Sequence, residues 1–251
     1  MEQITSRKNP TAVHLKKLGA VREYREQCRE FLCDGSKLLY EAIESGAEIT
    51  TVLSAVKISD LPGNIPAFTA ARDIIDSISP LKNAQDVLFS CKMPDNTALG
   101  DMRGNHILLD GIQDPGNVGT IIRTAAAFGM NSVILTNGCA DVYNPKTVRA
   151  SMGAIFRQRI VTVSREHVAD MVNGGIRLLG AALGDGCRNL LETDIQNAVI
   201  AIGSEGSGLS GGILALCSER ITIPIAPECE SLNAAVAAAV IMWELGGRTI
   251  V

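Results

Sequence analysis

Histidine, aromatic residues and paired cysteines are scarce in this chain of 251 residues. The three histidines, His14, His106 and His167, are far apart, so the spacing of a histidine zinc site or of a serine–histidine catalytic pair is missing. The seven cysteines include no C-x-x-C pair, which favours free thiols in a reducing compartment over a disulfide or zinc framework. No P-loop is present either. We therefore expect no metal.

Long apolar runs are also missing. No stretch reaches the roughly 18 uncharged residues that a membrane span needs, and the N-terminus lacks the apolar segment of a signal peptide. The 46% of hydrophobic residues is enough to build one large or two modest globular domains. The sequence predicts a cytoplasmic protein without a membrane partner.

Acidic residues exceed basic ones, and the net charge of −4 argues mildly against a nucleic-acid binder. Basic residues nevertheless cluster twice. Residues 1–37 carry eight basic and five acidic residues, among them Arg7 and Lys8. The second cluster is Lys146, Arg149, Arg157 and Arg159. Lys146, Arg149 and Gly153 are predicted on adjacent turns of one helix, which would suit a phosphate contact. A solvated helix face explains either cluster taken alone.

The chain changes character at residues 92–100, where proline, asparagine and glycine accumulate. Before this predicted linker, short elements are mixed, beginning with a helix capped by Asn9 with Pro10 in its first turn. After it, apolar runs typical of parallel strands covered on both faces alternate with helices. These strands are predicted at residues 106–109, 132–135, 176–183, 198–202 and 220–225. We predict a smaller N-terminal α/β domain over residues 1–98 and a parallel-sheet α/β domain over residues 104–251.

Three polar loops follow predicted strands of the second half, within residues 117–125, 202–208 and 223–235. In the first, Asn117 is predicted to cap a helix that runs from residue 118 to about 128, with Arg123 opposite its buried face. The third opens an alanine-rich helix that is apolar on most faces. Because ligands bind at the carboxyl ends of parallel strands, we expect the three loops to form one site.

The second loop also contains a literal G-x-G-x-x-G at residues 206–211, with acidic residues about twenty positions later. This match favours a nicotinamide-dependent oxidoreductase as an alternative. It lies near the end of its domain instead of in the first βαβ unit, however, and Glu205 would repel a pyrophosphate. We interpret the match as mostly coincidental.

Together, the loops resemble the motifs of the SpoU/TrmH family of RNA ribose 2′-O-methyltransferases, in the knotted SPOUT superfamily. The three resembling stretches are Asn117-x5-Arg123-Thr-Ala-x-x-Phe128-Gly129, Gly203-Ser-Glu205-Gly-x-Gly208, and Ile223-Pro224 with Ser231-Leu232-Asn233. The similarity covers residues 104–251. More weakly, Ile4-Thr-Ser-Arg-Lys-Asn-Pro10 and Phe31-Leu-Cys-Asp-Gly35 resemble the small RNA-binding domain often fused to these enzymes.

The resemblance implies a fold and a set of partners. The C-terminal domain would contain a deep trefoil knot, and the protein would form a homodimer near its alanine-rich final helix. S-adenosylmethionine would be the methyl donor, and RNA the acceptor, with ribosomal RNA favoured and transfer RNA left open. A non-catalytic RNA-binding module is a further alternative.

The resemblance also assigns roles to residues. It implies cofactor contacts at Gly203, Ile223 and Leu232, and catalytic roles for Asn117, Arg123, Glu205, Ser231 and Asn233. The basic residues Arg7, Lys8, Lys146 and Arg149 are expected to contact RNA. Arg123 would act on the ribose 2′-hydroxyl, and because an arginine stays protonated we expect an electrostatic role instead of a general base.

Overall fold

The structure is a computed structural model of the chain, and it describes residues 2–59, 61–95 and 99–247. The described chain forms two compact units. The first unit combines Met1–Asp95 with Asp141–Phe156, and the second combines Asn96–Ala140 with Arg157–Val251. The segment 141–156 thus packs with the first unit, although the predicted boundary assigns it to the second. Residues 96–98 of the predicted linker lie outside the described residues.

The first unit is a five-stranded sheet flanked by helices. Its elements up to residue 95 are β1 (Glu2–Ile4), α1 (Pro10–Ala20), α2 (Arg22–Cys28), β2 (Glu30–Asp34), α3 (Ser36–Glu44), β3 (Ile49–Ser54), β4 (Ala67–Ala70), α4 (Arg72–Ile78) and β5 (Val87–Lys92). The strand order is β1-β4-β3-β5-β2. Strand β4 runs parallel to β1 and β3, whereas β5 runs antiparallel to β3 and β2. The predicted cap of α1 is confirmed, because the Asn9 side chain accepts a 2.9 Å hydrogen bond from the Thr11 N–H.

The second unit is built on a seven-stranded sheet. Its first elements are β6 (His106–Asp110), α5 (Pro115–Ala127) and β7 (Ser132–Thr136); α6 (Pro145–Ala150) lies in the segment that joins the first unit. The later elements are β8 (Ile160–Val163), α7 (Arg165–Asn173), β9 (Leu178–Ala181), β10 (Arg188–Asn189), β11 (Val199–Gly203), α8 (Gly211–Leu216), β12 (Glu219–Thr222) and α9 (Ala234–Met242), followed by a π-helical turn, Trp243–Gly247.

Every pairing recorded in this second sheet is parallel, which confirms the predicted sheet type. The strand order is β10-β12-β9-β11-β6-β7-β8. All residues of β6 and β7 are buried, which is typical of a parallel sheet covered on both faces, and this agrees with the apolar runs Ile107–Leu109 and Val133–Leu135. The predicted strand at residues 176–183 is shorter, and β8 was not predicted. The trefoil knot stays a prediction.

The segment 141–156 is held to the rest of the first unit by a buried ion pair and an aromatic contact. The Arg25 guanidinium, 4% exposed, donates to the Asp141 carboxylate at 2.5 and 3.2 Å and to the Leu18 carbonyl at 2.7 Å. The rings of Phe31 and Tyr143 lie 4.7 Å apart, centre to centre. Because removing one partner of a buried ion pair costs about 3–5 kcal/mol, the segment is an integral part of this unit.

Helix α6 is shorter than predicted. The helix predicted to contain Lys146, Arg149 and Gly153 ends at Ala150, and Gly153 lies beyond it with a φ of +91°. The placement of Gly153 on that helix is therefore wrong, because a left-handed residue cannot continue a right-handed helix. Within the described ranges, no helix is both long and apolar enough to cross a bilayer.

Candidate active site

The candidate site lies at the carboxyl ends of the parallel strands, where β6 ends at Asp110 and β11 ends at Gly203. The loop after β6 leads into α5, and the loop before α9 supplies Asn233. All these elements belong to the second unit. The predicted convergence of the three loops agrees with this geometry.

The start of α5 differs from the prediction and explains how Asn117 reaches the site. Asp114 caps the helix, Pro115 takes its first position, and the Asp114 Oδ1 accepts a 2.8 Å hydrogen bond from the Asn117 N–H. The prediction that Asn117 is the cap is therefore wrong. Because Asp114 satisfies the helix end, the Asn117 amide is left to bond elsewhere.

Asn117, Glu205 and Asn233 form one hydrogen-bonded cluster, which we call the amide–carboxylate cluster. The Glu205 Oε1 accepts from the Asn117 Nδ2 at 3.0 Å, from the Asn233 Nδ2, and from the Ala234 N–H at 3.3 Å. The Asn233 Nδ2 also donates to the Asn117 Oδ1 at 3.2 Å. Asn233 is at the same time the cap of α9, since its Oδ1 accepts from the N–H groups of Ala235 and Val236.

This cluster borders two cavities, and the loop of residues 204–209 contributes to the walls of both. We call the smaller one, of about 500 Å³, the apolar cavity. The three predicted cofactor-contacting residues, Gly203, Ile223 and Leu232, all line it, and so does Ser231. Other aliphatic side chains of its wall are Leu183, Ile202, Leu209, Leu214, Ile221 and Ile225.

Gly203 is the position where the wall of the apolar cavity tolerates no side chain. A Cβ there would lie 2.0 Å from the carbonyl carbon of Gly208 and 2.2 Å from the Leu209 nitrogen. The loop folds back against the strand end, and two backbone hydrogen bonds join Ser204 to Gly208, at 2.9 and 3.1 Å. Glycine is therefore required here by close approach of the backbone.

The larger cavity, of about 910 Å³, is the polar cavity. At its base the buried Asp110 carboxylate accepts from the Thr136 hydroxyl at 2.9 Å and the Ser210 N–H at 2.7 Å. The Arg165 Nε and Nη2 also donate to it, at 3.2 and 3.0 Å. Burial by itself raises the pKa of Asp110, but the hydrogen bonds from Ser210, Thr136 and Arg165 outweigh it, so the pKa lies below its usual value.

The catalytic residues predicted from the resemblance are only partly brought together. Arg123 is exposed, lines neither cavity, and has no hydrogen-bond or ion-pair partner within the described ranges. It follows Asn117 by six residues, which is about 9 Å along the axis of α5. Its role stays a prediction.

The four residues expected to contact RNA all lie in the first unit. Lys8 and Lys146 are exposed. Arg7 forms an exposed 2.9 Å ion pair with Asp73, and the Arg149 Nη2 donates to the Asn83 carbonyl at 2.8 Å. Their grouping in one unit depends on segment 141–156, since it carries two of the four.

Sequence reasoning missed Asp110 and Arg165. A carboxylate directly after the apolar run Ile107–Leu109 is an available signal for Asp110, because a buried charge needs partners. Arg165 carried no such signal. Among the described residues no cluster of histidine, cysteine, aspartate and glutamate is suited to a metal ion.

Comparison with known proteins agrees with this geometry. Residues 104–243 match the model of the SpoU rRNA Methylase family, and the chain belongs to that family. The match covers the whole candidate site. Family membership also removes the basis of the oxidoreductase alternative, since the G-x-G-x-x-G lies inside the matched region.

The relatives match more than nine tenths of the chain. The Bacillus subtilis 23S rRNA (guanosine(2553)-2′-O)-methyltransferase RlmP is 32% identical over 98% of this chain and 100% of its own length. The Streptomyces viridochromogenes 23S rRNA (uridine(2479)-2′-O)-methyltransferase is 30% identical over 91% of this chain and 88% of its own. The crystal structure of the SpoU methyltransferase AviRb from the same organism, in complex with AdoMet, superposes with a TM-score of 0.84 at 30% identity, covering 97% of this chain and 99% of AviRb.

Proposed function

We propose that this protein transfers a methyl group from S-adenosylmethionine to a ribose 2′-hydroxyl of ribosomal RNA. The observation that carries the proposal is the amide–carboxylate cluster of Asn117, Glu205 and Asn233, placed at the border of an apolar and a polar cavity. Family membership and the two relatives named for 2′-O-methylation of 23S rRNA support it. The same proposal places the enzyme in the cytoplasm.

The apolar cavity fits the methyl donor. Its volume lies within the range of about 300–1,000 Å³ typical of small-molecule sites, and aliphatic walls with a few polar groups are the usual lining. The AdoMet complex of AviRb supports the assignment. When bound, S-adenosylmethionine supplies an electrophilic methyl group on a positively charged sulfur.

The residues of the cluster bind and orient the reacting groups. Glu205 reaches the walls of both cavities, so its carboxylate complements a positive charge in the apolar one. Asn117 and Asn233 keep that carboxylate in place, and the second N–H of the Asn117 amide, which no described residue accepts, is presented to a ribose. Arg123 lowers the pKa of the ribose hydroxyl electrostatically, because a fixed positive charge favours the alkoxide. Ser231, in the wall of the apolar cavity, shapes the donor loop.

The first unit is the RNA-binding part in this proposal. Its basic residues Arg7, Lys8, Lys146 and Arg149 contact phosphates, and the exposed ion pair of Arg7 is weak enough to exchange for an RNA contact.

The enzyme acts as a homodimer through α9. Val236, Val240 and Trp243 follow one another at helical spacing and are 50%, 37% and 53% exposed. An apolar stripe of this kind is typical of a subunit interface. We expect sedimentation to show a dimer that Val240→Glu dissociates; an unchanged dimer would refute this interface.

The central experiment measures transfer of a tritiated methyl group to total RNA and maps the methylated nucleotide. We expect methyl incorporation at a ribose 2′-oxygen of ribosomal RNA by the wild type. Arg123→Ala is expected to abolish transfer while calorimetry shows an unchanged Kd for S-adenosylmethionine, because Arg123 lies outside the apolar cavity.

Arg177→Ala is the matched control, since Arg177 also sits in the second unit but pairs with Glu219, away from both cavities. Methylation of transfer RNA alone would redirect the substrate assignment. Binding of S-adenosylmethionine without transfer to any RNA would favour a non-catalytic RNA-binding module.

A further inference from the structure

The polar cavity presents hydrogen-bonding groups that the cluster does not use. Gln113 and Asn137 line it, and their side-chain amides have no hydrogen-bond partner within the described part of the chain. Both residues are exposed. Arg165 lines the same cavity, at the start of α7. These three side chains come from the ends of three neighbouring strands, β6, β7 and β8.

Arg165 is held in one orientation by Asp110. Its Nε and Nη2 both donate to the Asp110 Oδ1, at 3.2 and 3.0 Å, while the Asp110 side chain is 1% exposed and Arg165 is 48% exposed. A guanidinium has five N–H groups in a planar fork. With its Nε edge bound to the carboxylate, the edge formed by Nη1 and Nη2 stays available, and no described residue bonds to Nη1.

The charge of the cavity disfavours a phosphate as the partner of that edge. Among the described residues that line it, four are charged: Asp110, Asp114, Glu205 and Arg165. This lining carries two more negative than positive charges. A neutral group with hydrogen-bond acceptors does not incur this repulsion. A nucleobase is such a group.

We propose that the polar cavity binds the base of the nucleotide to be methylated and that this base is guanine, with Arg165 as the specificity-determining residue. This inference rests on the proposed function, because a ribose at the amide–carboxylate cluster must place its base in an adjoining space. The apolar cavity is assigned to the methyl donor, and the polar cavity is a second space that the cluster borders within the described part of the chain.

Guanine matches the available groups. Its O6 and N7 are adjacent acceptors that an arginine fork contacts with two hydrogen bonds. The amides of Gln113 and Asn137 can both donate and accept, so they can bond to the remaining polar edge of the base. No aromatic side chain of the described residues lines the cavity, so recognition depends on hydrogen bonds instead of stacking.

The test compares two changes, one in the enzyme and one in the RNA. Arg165→Lys keeps the charge beside Asp110 and removes the fork, and 7-deazaguanosine at the methylated position removes the N7 acceptor. We expect Arg165→Lys to lower kcat/KM about 10- to 100-fold on guanosine RNA, since a bidentate base contact discriminates by that order. Replacing guanosine by 7-deazaguanosine in the RNA should lower kcat/KM of the wild type about 10-fold. The kcat/KM of Arg165→Lys should be the same on both RNAs.

The controls separate failure of this inference from failure of the proposed function. The Kd of S-adenosylmethionine and the melting temperature are measured for each variant, and Arg177→Ala is the matched arginine control. Wild-type kcat/KM in Arg165→Lys, equal losses with 7-deaza RNA in both enzymes, or methylation of a nucleotide other than guanosine would overturn the inference and leave the proposed function standing. A wild type that binds no S-adenosylmethionine and methylates no RNA would overturn both.

Discussion

Replacing Asn233 by aspartate separates the two roles of this residue. The new carboxylate still caps α9, because either oxygen accepts from the N–H groups of Ala235 and Val236. It cannot donate to Asn117 or Glu205, however, and it places a second negative charge beside the Glu205 carboxylate. We expect Asn233→Asp to lose methyl transfer while the fold stays stable.

The size of the loss follows from the lost contacts. Two hydrogen bonds at about 1 kcal/mol each account for about 2 kcal/mol. Two charges about 4 Å apart repel by about 1 kcal/mol in water and more where water is excluded. Because the cluster must be assembled for methyl transfer, this sum of about 3–4 kcal/mol is added to the barrier of the variant and corresponds to a rate lower by on the order of 10²- to 10³-fold. The negative charge that Asn233→Asp places at the N-terminus of α9 stabilises the helix by only about 0.3–1 kcal/mol.

The assay is single-turnover methyl transfer, with thermal unfolding of the same samples. Asn233→Ala serves as the cap-deficient comparison, which we expect to lower the free energy of unfolding by about 1 kcal/mol. Asn189→Asp is the matched control, because the Asn189 Oδ1 caps a short turn by accepting from the Leu191 N–H at 3.0 Å, away from both cavities. Because like charges raise the pKa of one carboxylate of a pair, the ratio of variant to wild-type rate should rise as the pH is lowered. Wild-type turnover by Asn233→Asp would refute the role of the cluster.

Three more predictions concern single positions. Gly203→Ala should weaken the binding of S-adenosylmethionine at least about tenfold by calorimetry, because its Cβ would lie 2.0 Å from the loop backbone. Gly206→Ala, whose Cβ would have no atom within 4 Å, should leave the affinity unchanged. Equal affinities of the two variants would contradict the close approach at Gly203. Arg25→Met should lower the free energy of unfolding, measured in urea, by about 3–5 kcal/mol, because Asp141 loses its buried partner. A decrease below about 1 kcal/mol would contradict a structural role of this ion pair. Burial lowers the pKa of His106, although backbone hydrogen bonds oppose this effect. The unfolded chain therefore binds a proton at His106 at a higher pH than the folded chain does. Wild-type stability should therefore fall as the pH drops below about 6.5, and His106→Gln should flatten this dependence; parallel curves would disagree.

The strands of the second sheet could be predicted where burial on both faces leaves a long apolar run. The run predicted at residues 106–109 is observed as His106–Asp110, and that predicted at 132–135 as Ser132–Thr136. Strand β8 is not predicted because the exposed Thr162 interrupts the apolar run of Ile160–Val163, unlike the uninterrupted runs of β6 and β7.

The sequence motifs predict which residues form much of the site, but they do not predict the contacts that these residues make. The aspartate–proline pair at 114–115 is a helix-start signal that places the cap of α5 at Asp114, three residues before Asn117. The contact between Asp110 and Arg165 joins residues 55 positions apart and depends on β6, β7 and β8 lying side by side in the sheet. Periodicity within one segment contains no information on that order.

The attachment of residues 141–156 to the first unit has a consequence for how such enzymes can diverge. An exchange of residues 1–98 between two relatives would carry Arg25 and Phe31 but leave behind Asp141 and Tyr143, with which they pack. The new N-terminal half would then pack against a segment 141–156 from another protein. Asp141 would be left without the buried arginine that pairs with it here. Recombination that exchanges the first unit must therefore transfer both stretches of gene together, or be followed by mutations in residues 141–156 that restore the contacts.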